Sequence, residues 1–178
     1  MIPEDPLLRI AGIVNDSIVD GPGLRLTVFL QGCQLDCPGC HNPQTHDQNK
    51  GDLQTVSSVF SLVKANPLLS GVTLSGGEPL LQAKALIPLA KQVKDAGLNL
   101  YVYTGYTFEQ LLSESNSDVM TLLRYVDVLI DGPFVLAQKS LSLPFRGSRN
   151  QRILDVMSSL KERKAIPVSD EAWGYHPD

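Results

Sequence analysis

The chain has 178 residues, a formal charge of −4, 43% hydrophobic and 19% charged residues. This is ordinary globular composition with enough length for one domain and its core. It gives no basic footprint for nucleic acid, no apolar run that spans a bilayer, and no basic-then-apolar start of a signal peptide.

The expectation is therefore a single domain over residues 1–178, in the cytoplasm, with no nucleic-acid or membrane partner. The first predicted strand covers residues 24–30, where Leu24, Leu26, Val28 and Leu30 alternate with Arg25, Thr27 and Phe29. It runs directly into Gly32-Cys33-Gln34-Leu35-Asp36-Cys37-Pro38-Gly39-Cys40-His41-Asn42. Val56, Val59, Phe60 and Val63 then fall at helical spacing, and Asn66-Pro67 ends that helix. A second strand is expected over 71–75. Leu86, Leu89, Ala90 and Val93 form the next helical stripe, which places Pro88 in a first turn and Gly97 at the C-terminal cap.

Residues 98–104 read as a third strand, followed by a short helix whose capping box is Thr107 and Gln110. A fourth strand is expected over 126–131 and a fifth over 152–156. No repeat, low-complexity stretch or Gly/Ser linker divides the chain. Strands alternating with helices predict βα units and a mainly parallel sheet. Each glycine-rich motif follows a strand: the cysteine loop, Ser75-Gly76-Gly77-Glu78-Pro79, Thr104-Gly105-Tyr106 and Asp131-Gly132-Pro133. Such sheets carry their sites at the carboxyl ends of strands, so four segments converge on one rim. A single glycine motif of this kind is often mere turn punctuation; four in register with the cysteines shift the balance strongly towards a site.

All three cysteines of the chain lie in C-x3-C-x2-C, at positions 33, 37 and 40. Thiolates are soft ligands that favour zinc, copper(I) and iron–sulfur clusters. A four-iron cluster that only carries electrons takes four cysteines. Three point to a cluster with one iron left open for a small molecule. A Cys3His zinc site fits the same thiolates if His46 or His176 completes it, and the cysteines alone do not separate the two readings. An odd count argues against structural disulfides.

Taken with Ser75-Gly76-Gly77-Glu78-Pro79, the cysteine loop resembles the radical S-adenosylmethionine superfamily. Asp20-Gly21-Pro22-Gly23-Leu24-Arg25 and Phe29-Leu30-Gln31-Gly32-Cys33 are similar to its glycyl-radical-enzyme activases. Cys37-Pro38-Gly39-Cys40, Tyr103-Thr104-Gly105-Tyr106, Val128-Leu129-Ile130-Asp131-Gly132 and Arg146-Gly147-Ser148-Arg149-Asn150-Gln151 resemble the activases that serve anaerobic ribonucleoside-triphosphate reductases. The resemblance covers about residues 10–156. One departure is Gly39, where many superfamily members carry an aromatic residue near the adenine.

The resemblance implies an α/β fold, an incomplete open (β/α) barrel of five to six mainly parallel strands. A complete barrel takes about 250 residues. It implies that Cys33, Cys37 and Cys40 hold one 4Fe-4S cluster whose open iron chelates S-adenosyl-L-methionine. A reductant, flavodoxin or ferredoxin, would then drive cleavage to a 5′-deoxyadenosyl radical. That radical takes a hydrogen atom from a glycine Cα of the partner, the glycyl radical subunit of the reductase. Gly39, Cys40, His41, Gly76, Gly77, Glu78, Thr104 and Asp131 are the implied cofactor-binding residues. His41 would meet adenine through its backbone, and Glu78 would meet the ammonium group.

Asp131 matches an aspartate that in related activases helps hold a monovalent cation. Arg146, Ser148 and Asn150 are candidates for contact with cofactor or partner. Tyr101 and Tyr103 share a strand face and read as core, and the tail at 165–178, with Trp173 and Tyr175, packs on the sheet edge, docks on the partner or is disordered. Rival readings are the activase of another glycyl radical enzyme, a small-molecule radical enzyme of deazapurine synthesis, and a zinc-binding adaptor.

Overall fold

The computed structural model describes residues 4–169 and 171–173, so His176 and Tyr175 lie outside the described residues. In chain order the elements are β1 (Leu7–Ser17), β2 (Arg25–Leu30), β3 (Asp52–Thr55), α1 (Val56–Ala65), β4 (Gly71–Gly76) and α2 (Ala83–Asp95). They continue with β5 (Asn99–Tyr103), α3 (Phe108–Glu114), α4 (Ser117–Leu123), β6 (Val128–Asp131), β7 (Arg152–Asp155) and α5 (Val156–Glu162). The strands form one seven-stranded sheet in the order β3-β1-β2-β4-β5-β6-β7.

Four neighbours, β2, β4, β5 and β6, run parallel. On one side β1 pairs antiparallel with β2 and β3 antiparallel with β1, so β3 runs in the direction of the parallel strands; on the other side β7 pairs antiparallel with β6. The expectation of five to six mainly parallel strands is corrected on count, to seven among the described residues, of which five run in one direction. The sheet is open, with β3 and β7 as its margins.

Alternation along the strands puts apolar side chains on both faces. Leu26, Val28, Leu30, Val72, Leu74, Leu100, Val102, Leu129 and Leu154 join the main core with residues of all five helices. The opposite face carries a smaller cluster of Tyr101, Val128, Ile130, Ile153 and Trp173. The Trp173 ring packs tilted against Tyr101 at 4.8 Å and edge-on to Phe145 at 5.3 Å. The tail thus packs against the sheet as far as Trp173.

Nearer β2 that second face turns polar. Arg25 is buried, with its guanidinium 3.6 Å from the Tyr101 ring centre. It donates to Thr73 Oγ1, Asn99 Oδ1 and the carbonyls of Val72 and Pro22. These bonds use four of the five guanidinium N–H donors, so the buried charge is solvated by protein.

The helices end much as their residues dictate. Thr55 caps α1 by accepting from Ser58 N, and Thr107 with Gln110 forms the capping box of α3. Beyond Asp95 the Leu98 N–H reaches Val93 O and the Gly97 N–H reaches Lys94 O, a Schellman closure. One placement differs from expectation. A 3-10 turn at Pro79–Gln82 precedes α2, so Pro88 lies inside the helix and not in its first turn. The earlier start comes from Ala83 and Leu86, which are buried with the rest of the stripe.

Candidate cofactor site

The carboxyl ends of the parallel strands surround a cavity of about 610 Å³. Its walls include Cys33, Cys37, Cys40 and His41 after β2, Gly76, Gly77 and Glu78 after β4, Thr104 and Gly105 after β5, and Gly132 and Phe134 after β6. The convergence inferred from motif positions is what the parallel pairing produces. The volume lies within the usual range of small-ligand pockets.

The cysteine loop is tied closed at its base. Gly32 N donates to Thr45 O at 2.7 Å and Cys33 N to His46 O at 3.1 Å. The buried Gln31 amide donates to the carbonyls of Gln44 and Asp47. Within the loop Cys40 N bonds Cys37 O, and Asn42 N approaches Cys40 Sγ at 3.4 Å. All three thiols are free and half-buried. Burial raises the Cys33 pKa, a cost that a bound cation would remove.

No three His, Cys, Asp or Glu side chains among the described residues converge as ligands of a single ion. A four-iron cluster places each thiolate on a separate iron, so it does not need that convergence. The donor set fits such a cluster: three soft ligands from one short loop, all on one cavity wall. His46 also lines the wall, with Nδ1 3.7 Å from Asp36 Oδ1.

Gly76 and Gly77, implied cofactor-binding residues, lack the β-carbon that would keep a ligand from their backbone. The structure shows a different close approach. A Cβ on Gly77 would stand 2.3 Å from Gly32 O, and one on Gly76, where φ is +99°, 2.5 Å from Leu30 N. These glycines sew the end of β4 onto the entrance of the cysteine loop. Gly77 N donates to Leu30 O at 2.8 Å and Glu78 N to Gly32 O at 2.7 Å. Both residues still line the cavity.

Glu78 is 1% exposed. Its Oε1 accepts from Leu80 N and Thr104 Oγ1, and its Oε2 accepts from Gly105 N at 2.9 Å. Burial outweighs these bonds and pushes its pKa up to about 7. A carboxylate accepts about four hydrogen bonds, so Oε2 retains an acceptor direction. Thr104 serves that carboxylate, and its oxygen also accepts from Tyr106 N.

Asp131 does not line the cavity, which is where the sequence reading had it. Arg152 stands opposite it across the β6–β7 ladder and donates two N–H groups to its carboxylate, at 3.0 and 2.6 Å. Phe108 N, at the start of α3, donates a third bond at 2.8 Å. That carboxylate fixes β7 and α3 to β6, and no cation is assigned to it.

Of the candidates in the 146–151 stretch, Arg146 lines the cavity and donates Nη1 to Gln151 O. Ser148 is fully buried, its Oγ accepting from Val135 N, and Asn150 donates to Pro133 O. Neither is a wall residue. Gln151, quoted in the resembling stretch but not as a candidate site residue, binds this stretch to itself by accepting from Gly147 N and Ser148 N and donating to Gly132 O.

The aromatic wall was also missed. Phe134 lies 4.8 Å from His41, ring centre to ring centre, and both line the cavity. Gly39 is not a wall residue; its φ is +74° and a Cβ there would meet Leu136 Cδ1 at 2.9 Å. The left-handed backbone at Gly39 disfavours any side chain before the third cysteine, and ring surface in this cavity comes from Phe134 and His41. Its signal in the sequence is Phe134 closely following Asp131-Gly132. Tyr103, expected as core, is shared: it packs in the smaller cluster, lines the cavity and donates to Phe145 O at 2.7 Å.

Comparison with known proteins agrees with this geometry. Residues 19–154 match the family model described as a 4Fe-4S single cluster domain. The chain is 35% identical over 144 residues to the anaerobic ribonucleoside-triphosphate reductase-activating protein of Haemophilus influenzae, covering 76% of this chain and 90% of that protein. It is 34% identical over 141 residues to the protein of the same name from Enterobacteria phage T4, covering 76% and 86%. The crystal structure of QueE from Escherichia coli aligns with 57% of this chain and 53% of that one, at 17% identity and a TM-score of 0.46, and nothing below rests on it. The chain belongs to the 4Fe-4S single cluster domain family, together with the anaerobic ribonucleoside-triphosphate reductase-activating proteins.

Proposed function

We propose that this protein activates an anaerobic ribonucleoside-triphosphate reductase by generating a radical on a glycine of that enzyme. The observation that carries the reading is the single cavity in which the chain's only cysteines meet Glu78 and the ends of four parallel strands. Its relatives' names supply the partner.

Cys33, Cys37 and Cys40 would hold three irons of a four-iron cluster, and the chain has no fourth cysteine to close the last. The chemistry such a cluster would supply is one electron for cleavage of S-adenosylmethionine to methionine and a 5′-deoxyadenosyl radical able to take a hydrogen atom from the glycine Cα. We propose a flavodoxin or ferredoxin as the source of that electron. Glu78 offers Oε2 to the ligand's ammonium group, a charge-assisted bond inside a shielded cavity. Thr104 and Gly105 N hold the carboxylate in place for it. Phe134 and His41 present ring surface suited to the adenine.

The test is cleavage by anaerobically reconstituted protein given S-adenosylmethionine and dithionite. Wild type should carry four irons and release 5′-deoxyadenosine. Cys33→Ala, Cys37→Ala and Cys40→Ala should each lose the cluster and the product. Cleavage retained by any of the three refutes the ligand assignment.

A further inference from the structure

The residues matched by the family model end at position 154, within β7, and the chain beyond them is built into the sheet. After α5 it turns back, and Ile166 N donates to the Oγ of the buried Ser159. Asp155 N donates to Ile166 O and Val168 N to Ile153 O, with Leu154 and Pro167 in an antiparallel bridge. The returning segment thus pairs along the outer edge of β7. It carries Trp173, the chain's single tryptophan, onto the sheet face opposite the helices. Trp173 is 2% exposed, with its ring against those of Tyr101 and Phe145.

Phe145 has a φ of +56°, a left-handed conformation that bulky side chains rarely adopt. Its ring rests against Trp173, and its carbonyl oxygen accepts from the Tyr103 hydroxyl at 2.7 Å. The residues that follow are cavity wall. Arg146 lines it, and Gly147 lies so close to the His41–Phe134 pair that a Cβ would stand 3.1 Å from each ring. The turn at Phe145 therefore sets where this wall stands.

We infer that Trp173 is a positioning residue: it holds Phe145 in its left-handed turn and so keeps the Arg146–Gly147 wall in the place that binds S-adenosylmethionine. The inference rests on the function proposed above, which supplies that ligand. A strained backbone persists only where its surroundings over-determine it, and the Trp173 ring is the part of that support contributed from beyond position 154. Without the ring, Phe145 relaxes and the wall shifts with it. The cysteine loop, tied at its base to Gln44, Thr45, His46 and Asp47, stays in place.

The test uses full-length protein carrying its cluster. Trp173→Ala and Trp173→Phe are compared with wild type and with Leu68→Ser, a 76% exposed position away from the cavity. Before S-adenosylmethionine is added, Trp173→Ala should speed amide hydrogen exchange over 145–148 at least about tenfold and leave β4 within about twofold of wild type. Equilibrium binding of S-adenosylmethionine should weaken at least about tenfold at unchanged iron content, with the cleavage rate at saturation within about threefold. Trp173→Phe, which keeps a ring against Phe145, should restore exchange and binding to within about threefold. Trp173→Ala added to Phe145→Ala should weaken binding little beyond Phe145→Ala alone, because the two remove one contact. Leu68→Ser should change nothing. Where Trp173→Ala does not fold, Trp173→Leu, which keeps apolar bulk without the ring, takes its place.

Affinity that stays at the wild-type value in cluster-loaded Trp173→Ala makes Trp173 a core residue alone and overturns the inference. Weakening that adds in full to that of Phe145→Ala overturns it as well, since Trp173 then does not act through Phe145. Wild type that holds its cluster but binds no S-adenosylmethionine overturns the proposed function, and the cofactor role of Trp173 with it, even where exchange over 145–148 responds as expected.

Discussion

Gly77 shows how one missing methyl group shapes the site. Its φ is unremarkable, so the demand for glycine is purely steric: a Cβ would sit 2.3 Å from the Gly32 carbonyl oxygen, which is backbone and cannot swing aside. Gly77→Ala should cost about 1–3 kcal/mol, the usual range for overpacking, read as a lower denaturant midpoint at unchanged slope. Glu78 makes a prediction of opposite kind. Its folded pKa of about 7 stands above the ordinary 4.5, because burial disfavours the charge. A carboxyl group raised in this way binds its proton more tightly when folded. Its contribution to stability is therefore full below about pH 4.5 and lost as pH rises to about 7. Glu78→Gln should flatten that part of the stability–pH curve. A cationic ammonium group favours the ionised form, so affinity for S-adenosylmethionine should rise with pH through about 7 and then level, measured by equilibrium binding. Affinity flat from pH 6 to 8 would show that Glu78 does not meet the ammonium. Cys33, Cys37, Cys40 and Glu78 were legible because their chemistry travels with their spacing. Gln31, Phe134 and Gln151 were not, since each matters only through partners that folding brings to it.

At the scale of elements, the Asp131–Arg152 pair replaces a cofactor role with a structural one. The carboxylate is 1% exposed and joins β6 to β7 and to the first turn of α3. Arg152 also donates to Glu109 at 2.7 Å, so three elements share the charge. Asp131→Ala leaves Arg152 and Phe108 N without their acceptor and should destabilise the fold by about 3 kcal/mol. Its affinity for S-adenosylmethionine should stay within a few-fold of wild type in the fraction that remains folded. A selective loss of affinity at unchanged stability would return Asp131 to the site. The sequence could not reveal this pairing, because Arg152 is opposite Asp131 only once β7 turns antiparallel. The parallel strands were readable from their apolar runs and following motifs. β1 was not: its alternation is broken by register shifts between Ile10 and Gly12 and between Val14 and Ser17. β3, Asp-Leu-Gln-Thr, is too short and polar to stand out from a loop. The short helices α4 and α5, unmarked in the sequence, are capped by Asn116 and by Asp155, the last residue of the strand itself.

At the scale of the whole molecule, parallel β2, β4, β5 and β6 bring their carboxyl ends to one side, and the open sheet carries the cavity there. The helices fill one face and leave the other to a small aromatic cluster, a buried arginine and the cavity wall. Among the described residues no helix is long and apolar enough to cross a membrane. This architecture gathers the three cysteines and Glu78 in one cavity at the carboxyl ends of the parallel strands. The central claim is that the protein acts on the reductase. It is tested most directly by electron paramagnetic resonance on reconstituted protein mixed with S-adenosylmethionine, reductant and the anaerobic ribonucleoside-triphosphate reductase from the same source. The account predicts a glycyl-radical signal that is absent when this protein is omitted. No radical, in a sample with an intact cluster and a reductase that responds to another activator, would contradict it.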